Sequence, residues 1–281
     1  MLDTIVDYFS NISSLHRTII LVGGIAFFSL IESAIPLMSL NYKRWKHAGI
    51  NIFFTFTTIL VNFFLAFILV KSSDWVVASD FGVVQWLSFS TITTLIVGLL
   101  LLDFLGAWLA HWVQHHVQWM WKFHLIHHSD QNIDTTSANR HHPGESVIRF
   151  VFTILATIVV GAPMWLVFLY QSMSVVLSQF NHANIVLPTW LDKILVSVFC
   201  TPNMHHVHHH YRMPYSDSNY GNIFSFWDRI FTTYFRVENS KLKYGVDTHM
   251  DPKEINDIKF MLKIPFMPYR KHIEYSDKEV L

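Results

Sequence analysis

Polar and apolar residues separate along this chain into long blocks rather than alternating. Thr18 to Met38 is apolar apart from Glu32 and closes at Pro36. Ala48 to Val70 carries no charged residue, and neither does Phe81 to Leu102. Each block matches the roughly 20 apolar residues that an α-helix needs to cross a bilayer. A further uncharged run, Phe150 to Leu191, is too long for one straight span, and Gly161-Ala162-Pro163 inside it reads as a turn. The run is expected to form a hairpin over residues 150–182 that dips into the membrane and returns. The predicted fold is an all-α membrane protein, with about four transmembrane or hairpin helices capped by a cytoplasmic helical histidine-cluster domain. A single domain covers 1–281. Within it, membrane spans take 18–110, two histidine motifs 111–149, the hairpin 150–182, a third histidine motif 183–244 and a tail 245–281.

Composition agrees with a bilayer as solvent. Of 281 residues, 52% are hydrophobic and only 14% charged, with 10 Trp and 24 Phe to anchor the interfaces. A formal net charge of zero argues against a nucleic-acid partner. The single cysteine, Cys200, excludes an intramolecular disulfide framework and a cysteine-built zinc site. Met1 to Arg17 lacks the basic start and small-residue cleavage site of a signal peptide, so the first apolar run is expected to be a retained anchor. The loop between the first two blocks holds Lys43, Arg44 and Lys46, which places it in the cytoplasm and the N-terminus outside. Three spans then deliver His111 to the cytoplasmic side, and 11 of the 20 basic residues follow His210.

The 18 histidines are not spread evenly. His111 and His115 are four apart on one helical face, with Asp103 two turns earlier on a similar face. His124, His127 and His128 have i, i+3, i+4 spacing, and so do His205, His208 and His209; each set is expected to point three rings one way. His142, in Arg140-His141-His142-Pro143-Gly144-Glu145, and His182, in Asn181-His182-Ala183-Asn184, flank the hairpin and should both reach the same place. Imidazole suits Fe, Zn, Cu and Ni. One metal takes four to six ligands, so this many convergent rings imply two metals. Packed without a metal, buried rings lack partners and protonated rings repel. His16, His47, His249 and His272 are isolated and expected to be interfacial, while His116, His141, His206 and His210 are adjacent extras pointing off the ligand face.

His111-x-x-x-His115, His124-x-x-His127-His128 and His205-x-x-His208-His209 resemble the three histidine boxes of the fatty acid hydroxylase (sterol desaturase) superfamily. The likeness runs from about Leu100 to Tyr244 and includes Thr201-Pro202, Asn219-Tyr220-Gly221-Asn222 and Phe226 to Tyr234. It implies a di-iron centre held by His111, His115, His124, His127, His128, His142, His182, His205, His208 and His209. Asp103, Glu145, Asn184 and Asp228 would orient imidazole N–H groups. It further implies O2-dependent hydroxylation of a fatty acyl, sterol-like or other membrane lipid, with Zn as a possible substitute metal in purified protein. No dinucleotide-binding glycine motif is visible, so electrons must come from outside, from a ferredoxin or a cytochrome b5-type protein. The basic, aromatic stretch Lys259 to Tyr275 could dock such a donor or lie on the membrane. Two alternatives stay open: lipid desaturation by the same centre, and a membrane protein for metal transport or storage.

Overall fold

The computed structural model describes residues 1–273; residues 274–281, and with them Tyr275 of the tail, lie outside the described part. Every regular element among the described residues is helical, with only isolated bridges such as Pro36 with Ile185 and His210 with Tyr244.

A short amphipathic helix α1 (Leu2–Ser10) precedes α2 (Ser14–Ala34), whose start is capped by the Ser13 hydroxyl accepting from the His16 N–H. Next comes α3 (Arg44–Ala78), which runs eight residues past the expected block end at Val70 because nothing from Lys71 to Ala78 breaks a helix. A turn and the short α4 (Val83–Trp86) lead to α5 (Thr91–Asp103), so the third span begins later than the uncharged block suggested. The chain then passes through a π-helical turn, Phe104–Leu109, into α6 (Ala110–His116) and, after one residue, α7 (Gln118–His128). The hairpin is built from α8 (Pro143–Val160) and α9 (Met164–His182).

Four helical stretches are long and apolar enough to cross a membrane: Ser14–Ala34, Arg44–Trp86, Thr91–His116 and Pro143–Val160. Their side chains face outward in a way water would penalise. Phe63, Phe64 and Phe67 are 74%, 75% and 69% exposed on α3, an arrangement suited to lipid. The inner faces meet in a core of Leu69, Leu102, Val160, Leu166, Val167 and Tyr170, which binds α3, α5, α8 and α9 together. At 18 and 19 residues the hairpin arms are each about 27–29 Å long, since a helix rises 1.5 Å per residue.

Two glycines make the hairpin turn possible. Gly161 ends α8 with φ of +71°, and a Cβ there would lie 2.5 Å from the Phe81 carbonyl oxygen. Opposite it, Gly82 has φ of +99°, and its Cβ would meet the Gly161 nitrogen at 2.3 Å. Only residues without a side chain tolerate both the backbone and the approach. The hairpin therefore returns to the end it left, which brings His141 and Glu145 at the head of α8 next to His182 at the foot of α9. Beyond it lie α10 (Thr189–Leu195), α11 (Pro202–His208), α12 (Phe226–Ile230), α13 (Pro252–Ile255) and α14 (Ile258–Lys263), of which α11 packs against α9.

Candidate metal centre

Nine histidines converge where α6, α7, α9 and α11 meet, and they sort into two adjacent groups. His111, His115, His124, His128 and His208 form one, and His127, His182, His205 and His209 the other. Within each group the ligand atoms all lie within 4.8 Å of one another. The sorting follows from helical geometry. In α7, residues i and i+4 (His124, His128) serve the five-ring cluster, while His127, rotated about 100° from its successor, serves the four-ring cluster. In α11 and the residue after it the roles are exchanged: His205 and His209 serve the four-ring cluster, and His208 the five-ring cluster. The spacing thus splits each box between two sites instead of aiming three rings at one.

The ring orientations fix which nitrogen faces inward. The Nδ1–H of His111 donates to the Tyr220 carbonyl at 2.9 Å, and that of His208 to the Ser218 carbonyl at 2.6 Å. His124 Nδ1–H donates to Glu145 at 2.7 Å, and His182 Nδ1–H to the Ser178 carbonyl at 2.8 Å with Asn181 Oδ1 at 2.7 Å. With Nδ1 protonated, Nε2 of each of these rings presents a bare lone pair to the cluster. The inward atoms are crowded: His111 and His124 Nε2 are 3.0 Å apart, His128 and His124 3.2 Å. His182 Nε2 lies 3.1 Å from both His127 and His205 Nε2 and 3.2 Å from His209 Nε2. Lone pairs aimed at each other at such distances repel, and a cation between them turns the repulsion into ligation. The donor set therefore fits two metal ions of the kind that imidazole binds.

Protonation is not an alternative way to relieve the crowding. Burial, and then the charge that neighbouring rings would carry, pushes His127, His128, His205, His208 and His209 well below the ordinary histidine value. These rings are neutral imidazoles, the form a metal requires.

Other predicted residues fall elsewhere. His142 caps α8: its Nδ1 accepts from the Gly144 N–H at 2.9 Å, and its Nε2–H faces the Leu262 carbonyl at 3.3 Å. It sits against Phe123 and Phe266, and the structure does not bring it to either cluster. Its neighbour His141, expected to point away, stacks on His127 and lies 2.9 Å from Glu145 Oε1, forming a third group with His124 and Glu145.

Of the four groups expected to orient rings, Glu145 alone touches one. Asp103 instead accepts from the Ile223 and Phe224 N–H groups and from Trp227 Nε1. The wider π turn between Asp103 and His111 shifts the register, so the two do not share a face. Asp228 accepts from Trp108 Nε1 and from the Tyr220 and Gly221 N–H groups, and so places the carbonyl that holds His111. Asn184 ties down Met38 through both its amide atoms.

Sequence reasoning passed over four supports: Asn181 beside His182, the carbonyls of Ser218 and Tyr220, and Asp217, 3.4 Å from His115 Nδ1. Burial opposes ionisation of Asp217, but hydrogen bonds from His115 and the Tyr220 hydroxyl outweigh it and hold its carboxyl at about 2. Asn181 and Tyr220 stood in quoted motifs; no spacing rule pointed to Asp217.

His47, expected at an interface, is buried with Nε2 2.8 Å from Asp130 and Nδ1 3.1 Å from Asp134, under the α7 end. His249 is buried too, and His272 pairs with Asp247. His16 is exposed and stacks on Tyr8.

Two cavities flank the clusters. One of about 170 Å³ lies beside His115, between Trp121, Asp217, Tyr269 and His272. A tighter one of about 20 Å³ lies on the membrane-helix side, between His127, His182, His205 and Arg149.

The sequence comparisons agree with this geometry. A family model described as fatty acid hydroxylase matches residues 95–233, which contain both clusters. The ornithine lipid hydroxylase OlsE of Rhizobium tropici is 24% identical over 241 residues, covering 81% of this chain and 70% of that protein. Human alkylglycerol monooxygenase is 31% identical over 151 residues, 51% of this chain and 31% of that protein; the Danio rerio enzyme is 27% identical over 173 residues. The chain spans about a third of the length of these two alkylglycerol monooxygenases. No solved structure matches it. Nine rings in two groups at the head of an apolar helix bundle, within the matched segment, identify residues 95–233 as a fatty acid hydroxylase domain.

Proposed function

We propose that this protein is a membrane-bound monooxygenase that hydroxylates a lipid with O2. One observation carries the reading: two adjacent groups of neutral imidazoles, their ring nitrogens converging, lie where four apolar helices end. Related chains are named for lipid hydroxylation and for alkylglycerol monooxygenation, which supports the same class of chemistry. Bound there, two iron ions would supply the oxidising power that no side chain has. The nine clustered histidines are the ligands, and His142 is not needed among them. Zn would fit the same rings and is expected as a substitute in purified material.

The chain's own residues do the rest. Tyr220, Ser218, Glu145, Asp217 and Asn181 hold imidazoles in fixed orientation, which keeps the inward nitrogens basic. The outer faces of α5, α8 and α9 give an apolar chain a route from the bilayer to the cavity under His182. The cap of α10 to α14 keeps bulk water from the rings. Lys43, Arg44 and Lys46 support a cytoplasmic position for the cap and the clusters, where an external one-electron donor of the ferredoxin or cytochrome b5 type would reach them. A single domain carries all of this.

The test is isotopic. Iron-loaded protein, given labelled O2, a donor and a lipid extract, should place one labelled oxygen atom in a lipid. A product lighter by two hydrogens would assign desaturation, and turnover without O2 would end the oxygenase reading.

A further inference from the structure

Arg149 stands in an unusual position. It and Glu145 are the only charged residues of α8, an 18-residue helix apolar enough to span a membrane. Glu145, one turn earlier, is wholly buried and taken up by His124 at 2.7 Å and by His141 at 2.9 Å. Among the described residues, the Arg149 guanidinium has no ion pair, no hydrogen bond and no aromatic ring beneath it. Elsewhere the protein satisfies its inner arginine fully: Arg140 donates to Ile126, Asn51, Ser129 and Ile255. Arg149 is only partly buried, near the cluster end of α8, and an unpaired cation beside an apolar span marks a site that a ligand can complete.

The side chain lines the 20 Å³ cavity, space for about one water or one oxygen atom, together with His127, His182 and His205 of the four-ring cluster, His111 of the five-ring cluster and the polar Ser178 and Asn222. The planar fork of a guanidinium matches two oxygens of a phosphate or carboxylate. We propose that Arg149 binds an anionic oxygen, phosphodiester or carboxylate, of the lipid substrate. The headgroup end of the lipid is thereby held against the four-ring cluster, and the carbon that is oxidised lies close to the headgroup rather than deep in the chain. The inference rests on the hydroxylase reading above and narrows it. Ser178 and Asn222 complete the polar side of the pocket.

Binding tests this independently of turnover. Metal-loaded full-length protein in a neutral detergent is titrated with three lipids of identical chains: a phosphodiester lipid, an N-acyl amino acid and a neutral diacylglycerol. One anionic lipid should bind the native protein best, which names the headgroup. Arg149→Gln should weaken that lipid about tenfold, the scale of a lost charge-assisted hydrogen bond, and leave the diacylglycerol unchanged. Arg149→Lys should restore part of the loss. In turnover, Arg149→Gln should raise KM with kcat largely kept.

Equal binding of all three lipids by the Arg149→Gln and native proteins would mean that Arg149 merely extends to the membrane surface, and the proposal would fall. Equal weakening of all three would show a structural role and overturn it as well. Melting temperature and metal content of the variant separate misfolding from either result. If Arg149→Gln loses only the anionic lipid but labelled O2 never enters any lipid, the binding site stands and the hydroxylase reading falls. If label enters lipids with no dependence on headgroup or on Arg149, the reverse holds.

Discussion

The two clusters are alike in ligand chemistry and unlike in support. In the five-ring cluster four rings have an outer partner at Nδ1: His111 the Tyr220 carbonyl, His115 Asp217, His124 Glu145 and His208 the Ser218 carbonyl. In the four-ring cluster His182 alone has one, and the Nδ1 atoms of His127, His205 and His209 have no hydrogen-bond partner among the described residues. Outer hydrogen bonds fix the ring plane and raise its basicity. The five-ring cluster is therefore the more rigid site. The four-ring cluster, with fewer rings and less outer support, is the more adaptable of the two, and three of its rings line the small membrane-side cavity together with His111. In the proposed di-iron reading, a rigid holder beside an adaptable one would keep the metals in place and still leave a coordination position open.

The largest effect that could break this comparison comes from the ligands. His208→Ala and His205→Ala each remove one ring from a different cluster. Both should abolish turnover, and each should leave about one metal per chain as counted by elemental analysis. Loss of both metals in either variant would show that the clusters do not fill separately.

Removing outer partners comes next. Asp217→Asn and Glu145→Gln should weaken metal binding at the five-ring cluster about 10- to 100-fold, the usual cost of losing such a support. A competitive chelator titration reads this directly, and an unchanged affinity would deny the support its role.

Acid should then separate the sites. The cluster rings are neutral in the folded protein because burial lowers their proton affinity, whereas an unfolded histidine titrates near 6.5. A folded value below the unfolded one means that this neutrality is free of cost above about 6.5 and opposes folding and ligation as pH falls further. Metal should therefore be lost on acidification, in two steps, the four-ring cluster first. A single concerted release would argue that support does not distinguish the sites.

The smallest effect belongs to the residues outside both clusters. His142→Ala should leave metal content unchanged and cost about 1 kcal/mol in thermal stability, as for a lost helix cap. His16→Ala should change neither. A metal deficit in the His142 variant would return that ring to the ligand set.

Much of this was legible in sequence because its causes are local. A helix long and apolar enough for the bilayer is a matter of about 20 consecutive residues, so α2, the middle of α3 and the hairpin could be read directly, with the turn marked by Gly161 and Pro163. Imidazoles three and four apart are neighbours on a helix whatever surrounds it, so the rings of α7 and α11 could be chosen. Imidazoles at that density make groups that could hold a metal.

What only the tertiary structure decided depends on how separate segments face each other. The partition of each box between two clusters is fixed by where α7 lies against α11, not by spacing within either. The π turn after Asp103 carried that carboxylate away from His111 to the loop before Trp227, a register change with no composition signal. Between His141 and His142 the choice was made by the direction in which α8 leaves its cap, and His47 was drawn inside by Asp130 and Asp134, 83 and 87 residues away in the chain. Asp217 came to His115 across a hundred residues in the same way. Ligand identity is written in residue type and local period; ligand assignment, support and the unpaired charge of Arg149 are written in long-range packing, which no local pattern encodes.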